Sequence, residues 1–244
     1  MPDANSQPRS QPKTIVITGG GSGIGLALAR AFSRSGYSVV ISGRDLKRLQ
    51  AAATELSKAD ANIQAITCDI RDPDSVQKMF QQIAQRHSTI NVLINNAGVA
   101  HALAPVEQLP VETWKQVIET NITGTFLVTR AALPLMRPGS TIVNNLSIAA
   151  MRPFAGMSAY NASKFGAMGF TQALREELRE KGIRVLALLP GATNTDIWNQ
   201  FWADAPKEKM IPAEAVAEAV LHAVSAPANT TIEEIRIGPT AGAL

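Results

Sequence analysis

The stretch from Lys13 to Phe32 restricts the folds open to this chain more than any other. Lys13 to Thr18 (KTIVIT) is a short apolar run rich in β-branched residues, the pattern of a buried parallel strand. It passes directly into Gly19-Gly20-Gly21-Ser22-Gly23-Ile24-Gly25, and the residues from Leu26 to Phe32 then read as a helix. Strand, glycine turn and helix in that order bring a helix amino terminus up to the turn, where unpaired backbone N–H groups favour a phosphate. Glycines there let the backbone approach a pyrophosphate and let helix and strand pack closely. The spacing is G-x-x-x-G-x-G on Gly19, Gly23 and Gly25. It is not a phosphate loop of the lysine type, because Leu26 follows Gly25 where a lysine is needed. Nor does Ser22 sit in a G-x-S-x-G elbow, since Ile24 occupies the place of the last glycine. The turn therefore reads as a dinucleotide cradle, with Gly19, Ser22, Gly23, Ile24 and Gly25 as its contacts.

A second strand, Ser38 to Ser42, ends in Gly43-Arg44. At that position an acid would accept the ribose 2′-hydroxyl of NAD, whereas an arginine accommodates a 2′-phosphate. Gly43 supplies no acid and Arg44 supplies a planar donor fork, so the expected cofactor is NADP(H) in preference to NAD(H). Strands and helices alternate from there on. Helices are expected over Asp45–Lys58, from Asp72 to about His87, over Val111–Leu135 with Asn121 in the middle, from Ser158 to a C-cap at Gly182, and over Pro212–Val224. Strands are expected over Asn62–Thr67, Ile90–Ile94, Thr141–Leu146, Ile183–Leu189 and Thr231–Ile237. Most strands are near-continuous apolar runs, as when helices cover both faces. The expected fold class is α/β: a doubly wound, parallel, seven-stranded sheet with helices on both faces. One domain is expected over 13–244 behind a flexible tail at 1–12, with a substrate-loop segment at about 193–211.

In such a sheet the ligand crevice lies outside the carboxyl ends of the strands. Asp69, Asn96, Ser147 and Pro190-Gly191 all fall there, beside the glycine turn and Arg44. So does the start of the helix holding Tyr160 and Lys164, which share a face because residues four apart on a helix do. An ammonium beside a phenol favours the phenolate and would lower its pKa from ~10 by roughly 1–3 units, which suits an acid/base near neutrality.

Composition narrows the remaining classes. A net charge of +3 with scattered basic residues gives no polybasic patch for nucleic acid. The lone cysteine, Cys68, excludes an intramolecular disulfide and reads as a buried small hydrophobe. The amino terminus lacks the apolar region of a signal peptide, and no apolar run reaches the ~18 residues of a membrane span. A cytoplasmic setting is expected. His87, His101 and His222 have no mutual ligand spacing, so they read as surface groups and no metal is expected.

Taken together, Thr18-Gly19-x-x-x-Gly23-x-Gly25, Asp69, Asn95-Asn96-Ala97-Gly98, Asn121, Ser147, Tyr160-x-x-x-Lys164 and Pro190-Gly191 resemble the short-chain dehydrogenase/reductase family, in its branch of ~250-residue subunits. The resemblance runs from about Lys13 to Pro239. It implies a Rossmann fold with NAD(P) across the strand ends, Tyr160 as acid/base, Ser147 as donor to a substrate carbonyl, and Lys164 on the nicotinamide ribose. It implies that Asn121 holds a water of a proton relay through a break in its helix. Asp69 with Ile70 would meet the adenine, and Asn96, Ala97 and Gly98 the adenine ribose side. Thr195 would meet the carboxamide, and Thr193 would bind through its backbone where an aliphatic residue is usual. Family members are commonly tetramers, and Phe126, Phe165 and Phe170 are apolar outer positions that suit one; a homo-oligomer is expected. The implied substrate is a small carbonyl compound or secondary alcohol. The rival readings are a non-catalytic nucleotide-sensing or partner-binding protein on the same fold, an isomerase or dehydratase using bound nicotinamide, and the same enzyme running as an alcohol dehydrogenase. Trp198, Phe201 and Trp202 in the irregular segment read equally as a lid or as packing; the segment is short, which argues against a very large substrate.

Overall fold

A computed structural model describes residues 12–57, 62–227 and 229–242. The tail at 1–11 and the last expected residue of the second helix, Lys58, lie outside the described residues. The first strand, β1 (Thr14–Thr18), is buried along its whole length and carries Ile15 and Ile17 to one face of the sheet and Val16 to the other. This is why its sequence is continuously apolar rather than alternating. It is followed by α1 (Gly23–Arg34), β2 (Ser38–Gly43), α2 (Leu46–Ser57), β3 (Ile63–Thr67) and α3 (Pro73–Ala84). Asp45 accepts from the Arg48 N–H at 3.0 Å, and Asp72 from the Asp74 N–H at 3.0 Å with Pro73 next in line, so both helix starts carry caps written in the sequence.

β4 (Ile90–Asn95) returns to the other side of β1, and β5 (Met136–Asn145), β6 (Arg184–Pro190) and β7 (Glu234–Ile237) extend the sheet outward. The order is β3-β2-β1-β4-β5-β6-β7, parallel throughout. The chain thus reverses direction between β1 and β4, and the crevice opens there. α1, α2 and α7 (Ala213–Val224) bury Leu28, Phe32, Leu49, Val216 and Val220 against one face. α3, α5 (Thr125–Ala132) and α6 (Ser158–Arg179) bury Met79, Val128 and Leu174 against the other. Gly182, at φ +64°, takes the left-handed conformation between α6 and β6 that the sequence assigns to it.

The helix expected over Val111–Leu135 has the break at Asn121 that the resemblance implies: α4 (Val111–Ile118) ends in a π turn over Glu119–Gly124, α5 follows, and Leu133–Leu135 tightens into a single 3₁₀ turn at Pro134, where a proline ends regular helix. In the π turn the Thr120 hydroxyl donates to the Gln116 carbonyl at 2.8 Å and the Thr125 hydroxyl to the Asn121 carbonyl at 2.9 Å. The widened turn has close packing as well, because a Cβ on Gly124 would come within 2.7 Å of the Ile70 side chain. Two strand starts change. The fifth strand begins at Met136 rather than Thr141: Met136 pairs with Ile90, and the register then shifts before Val92. The other is β7, which begins at Glu234 rather than Thr231. Among the described residues, no helix is long and apolar enough to cross a membrane.

Candidate active site

A single cleft of about 970 Å³ runs along the carboxyl ends of the strands. The expected site residues line it, with two exceptions, Gly25 and Asn121. Gly25 is buried behind the turn, where an added Cβ would lie 2.2 Å from the Gly19 carbonyl oxygen; its part is to let α1 close onto β1. Asn121 stands behind the wall at 3% exposure. Its Oδ1 accepts from the Val99 N–H at 2.9 Å, and its Nδ2 donates at 2.9 Å to the Val99 carbonyl and to Ser163 Oγ. Asn121 therefore ties the loop after β4 to α6, and its own carbonyl is taken by Thr125.

A polar chain crosses the sheet edge in four steps. Asn96 Nδ2 donates to the Thr18 carbonyl at 2.9 Å and the Gly19 carbonyl at 3.2 Å. Asn145 Nδ2 donates to Asn96 Oδ1 at 2.8 Å, and Lys164 Nζ donates to the Asn145 carbonyl at 3.1 Å. The glycine turn, β4, β5 and α6 are thereby fixed relative to one another. Ala97 and Gly98 continue the wall; a Cβ on Gly98 would come to 3.3 Å from Asn121 Oδ1 and 3.7 Å from Lys164 Nζ. Asn145 escaped the sequence reading, although a pair of asparagines closing an apolar strand was a usable signal.

Ser147 follows β5 and caps the short turn Ile148–Ala150, its Oγ accepting from the Ala149 N–H at 3.1 Å. Asn161 pins this loop to α6 by donating to the carbonyls of Ala149 and Arg152. Tyr160 lies in the first turn of α6, and Lys164 Nζ is 5.5 Å from its ring centroid. The expected lowering of the Tyr160 pKa is corrected: burial pushes the phenol up, and the Ser147 hydroxyl beside it opposes that. Burial also brings Lys164 down to about 8, so the ammonium is held in the same poorly solvated wall that raises the phenol.

The surface reading of the histidines is also corrected for two of the three. His101 is 5% exposed. Its Nδ1 lies 2.8 Å from the Ala102 carbonyl, which fixes the proton there, and its Nε2 accepts from the Tyr160 N–H at 3.4 Å. It caps α6 in place of Met157, which provides no side-chain cap. His87 is half-buried between Thr14 and Gln64, while His222 is exposed. Contact across a distance of 59 residues leaves no local sequence signal for the His101 cap.

The glycine-turn end meets the requirements of an anionic dinucleotide. α1 has no side-chain cap and no acid in its first turn, so its leading N–H groups face the cleft unpaired. Arg44 is exposed and has no ion-pair partner among the described residues. Arg48, which the sequence reading missed, reaches to 3.5 Å from Ser22 Oγ. Asp69 is paired with Arg71 at 2.6 Å, and the Arg71 guanidinium holds its carboxyl below the usual range. Ile70 is buried under this rim. The Thr195 methyl closes over Gly23, and the Thr193 carbonyl accepts from Trp198 Nε1 at 2.8 Å. No group of three or more potential metal ligands occurs among the described residues.

The model of a family described as short chain dehydrogenase matches residues 13–206. Sulfoacetaldehyde reductase 2 of Chromohalobacter salexigens is 34% identical over 237 residues, covering 93% of this chain and 94% of that protein. A 3beta-hydroxysteroid dehydrogenase of Mediterraneibacter gnavus is 35% identical over 197 residues, covering 80% of this chain and 71% of that protein. Among solved structures, the closed form of serine dehydrogenase complexed with NADP+ superposes with a TM-score of 0.87 at 29% identity, covering 95% of this chain and 96% of that one.

Proposed function

The chain belongs to the short chain dehydrogenase family and is an oxidoreductase, and from that premise we propose that it exchanges a hydride between NADP(H) and a small ketone or secondary alcohol, with Tyr160 as the acid/base. The observation that carries the reading is the single cleft in which the uncapped start of α1 and the Ser147, Tyr160 and Lys164 side chains face one another. The glycine turn and the first N–H groups of α1 hold the pyrophosphate, and Arg44 with Arg48 receives the 2′-phosphate. The nicotinamide, when bound, supplies or accepts the hydride. Ser147 and Tyr160 donate hydrogen bonds to the substrate oxygen, and Tyr160 gives up its proton as the alkoxide forms. Lys164 holds the ribose and keeps positive charge beside the phenol, while Asn121 fixes the Val99 loop and α6 on either side of it. Thr193 and Thr195 border the carboxamide, and the segment at 193–211 borders the substrate. A homo-oligomer through α4–α5 and α6, in a reducing, cytoplasmic setting that suits the lone thiol of Cys68, completes the proposal.

The test is turnover of NADPH and NADH with a panel of ketones, 3-oxoacyl thioesters and secondary alcohols. Tyr160→Phe removes the transferable proton and should cost about 10²–10⁴-fold in rate with cofactor affinity little changed. NADPH should bind ~10–100-fold more tightly than NADH, the value of one hydrogen bond to a charged group at roughly 1.5–3 kcal/mol, and Gly43→Asp with Arg44→Ala should reverse that order. A Tyr160→Phe protein with unchanged turnover removes the acid/base assignment, and equal affinity for the two cofactors removes the phosphate-site assignment.

A further inference from the structure

Charge is distributed unevenly along the cleft. Its arginines, Arg44, Arg48 and Arg71, all stand at the ends of β2 and β3 or at the start of α2. Among the described residues, the half beyond β4, at the ends of β5 and β6, carries two ionisable groups besides the Tyr160 phenol. One is Lys164, whose Nζ donates to the Asn145 carbonyl and, in the proposed reaction, to the ribose. The other is the exposed Asp196. The rest of the lining on that side is apolar or neutral: Leu103, Phe154, Met157, Ile197, Trp198 and Phe201. Trp198 and Phe201 stack at 4.8 Å, with Trp202 edge-on to Trp198 at 6.1 Å. Of the side-chain amides there, Asn145 Nδ2 donates to Asn96 Oδ1 at 2.8 Å, and Gln200 Oε1 accepts from the Ala100 N–H at 2.9 Å. Arg152 does not line the cleft: its guanidinium lies 4.9 Å over the Phe154 ring, and it borders a separate hollow with Arg236.

We infer that the reacting half of the cleft takes an uncharged ketone, or its alcohol, bearing an aromatic or alicyclic group, and discriminates against carboxylate-, sulfonate- or phosphate-bearing substrates. The inference rests on the oxidoreductase reading of the same site. Among the described residues, a substrate anion brought into this half would lose hydration and meet no cation but Lys164, which the proposed reaction assigns to the ribose, and that is costly in a poorly solvated wall. It would also approach Asp196. A planar apolar group instead meets the Trp198 and Phe201 faces, where aromatic contacts add to area burial. Specificity is then set by the absence of a counter-ion as much as by attraction.

The experiment compares two ketones matched in size, 4-acetylbenzamide and 4-acetylbenzoate, on the cofactor-loaded protein. Binding is read from quenching of tryptophan emission, and turnover from nicotinamide absorbance. The neutral ketone should bind at least 10-fold more tightly and show the larger kcat/KM. Ile197→Arg, which puts a cation on the same wall, should raise the relative affinity for the carboxylate at least 10-fold. Equal or tighter binding of 4-acetylbenzoate by the unmodified protein overturns the inference. If that binding is then lost in Arg152→Ala, an anion subsite at Arg152 replaces it. The two readings fail separately: neutral-selective binding without turnover of either ketone leaves the substrate class standing and removes the proposed reaction.

Discussion

Lys164 shows how one residue's surroundings reach stability as well as chemistry. Its folded-state pKa is about 8, against 10.5 for the free side chain, and burial is the cause. The unfolded chain therefore binds the proton more tightly. Stability rises with pH between about 8 and 10.5, and below about 8 the folded state carries the full cost of the buried charge. Lys164→Met removes that charge and keeps most of the side-chain volume. Without cofactor, the variant should be at least as stable as the parent near neutral pH and should lack the rise in Tm over that alkaline window. A rise of equal size in both proteins would assign it to another group. Tyr160 illustrates the limit of counting charges along a helix: spacing puts the ammonium on the same face, but burial of the phenol, opposed by the Ser147 hydroxyl, raises the pKa.

At the scale of elements, the start of α6 depends on a side chain from another part of the chain. His101 accepts from the Tyr160 N–H, one of the four amides that a helix start leaves unpaired. His101→Ala should cost about 0.5–2 kcal/mol, the usual loss for a removed cap, and lower the Tm by roughly 2–4 °C per kcal/mol in a domain of this size. His101→Gln keeps an acceptor and should lose less. Equal losses in both variants would mean that ring packing, not capping, sets the effect. The π turn over Glu119–Gly124 has the same character. Asn and Thr in a helical stretch announce weak helix propensity, but the widened turn is fixed by Asn121 reaching Val99 and Ser163 and by Gly124 meeting Ile70.

For the whole molecule, the outer surface of the α4, α5 and α6 layer presents Trp114 at 40%, Phe126 at 42% and Phe165 at 45% exposure. Phe126 stacks edge-on against the half-buried Phe170 at 6.3 Å, so the rings of α5 and α6 adjoin. A face of this kind fits the proposed contact between copies of the chain. Phe165→Glu should convert the oligomer to smaller species in sedimentation velocity. An unchanged mass, or a parent protein that is already a monomer, removes this face from the assembly.

The order of strands and helices, the parallel sheet, and the edge on which the site lies are all legible in the amino-acid sequence. Those follow from local causes: continuous apolar runs, caps such as Asp45 and Asp72, and a glycine turn that only a close helix–strand approach requires. The sequence also identified Gly19, Arg44, Ser147, Tyr160 and Lys164 as neighbours on one cleft, because each closes or follows a strand, or opens a helix, at that edge. The remaining features depend on groups far apart in the chain. Gly25 and Asn121 serve from behind the wall, Asn145 joins the glycine turn to Lys164 through Asn96, His101 caps the helix of Tyr160, and the arginines gather at one end of the cleft. Hydrogen bonds across the sheet edge and the dielectric of a buried wall arise only once the strands are side by side, so neither spacing nor composition encodes them directly.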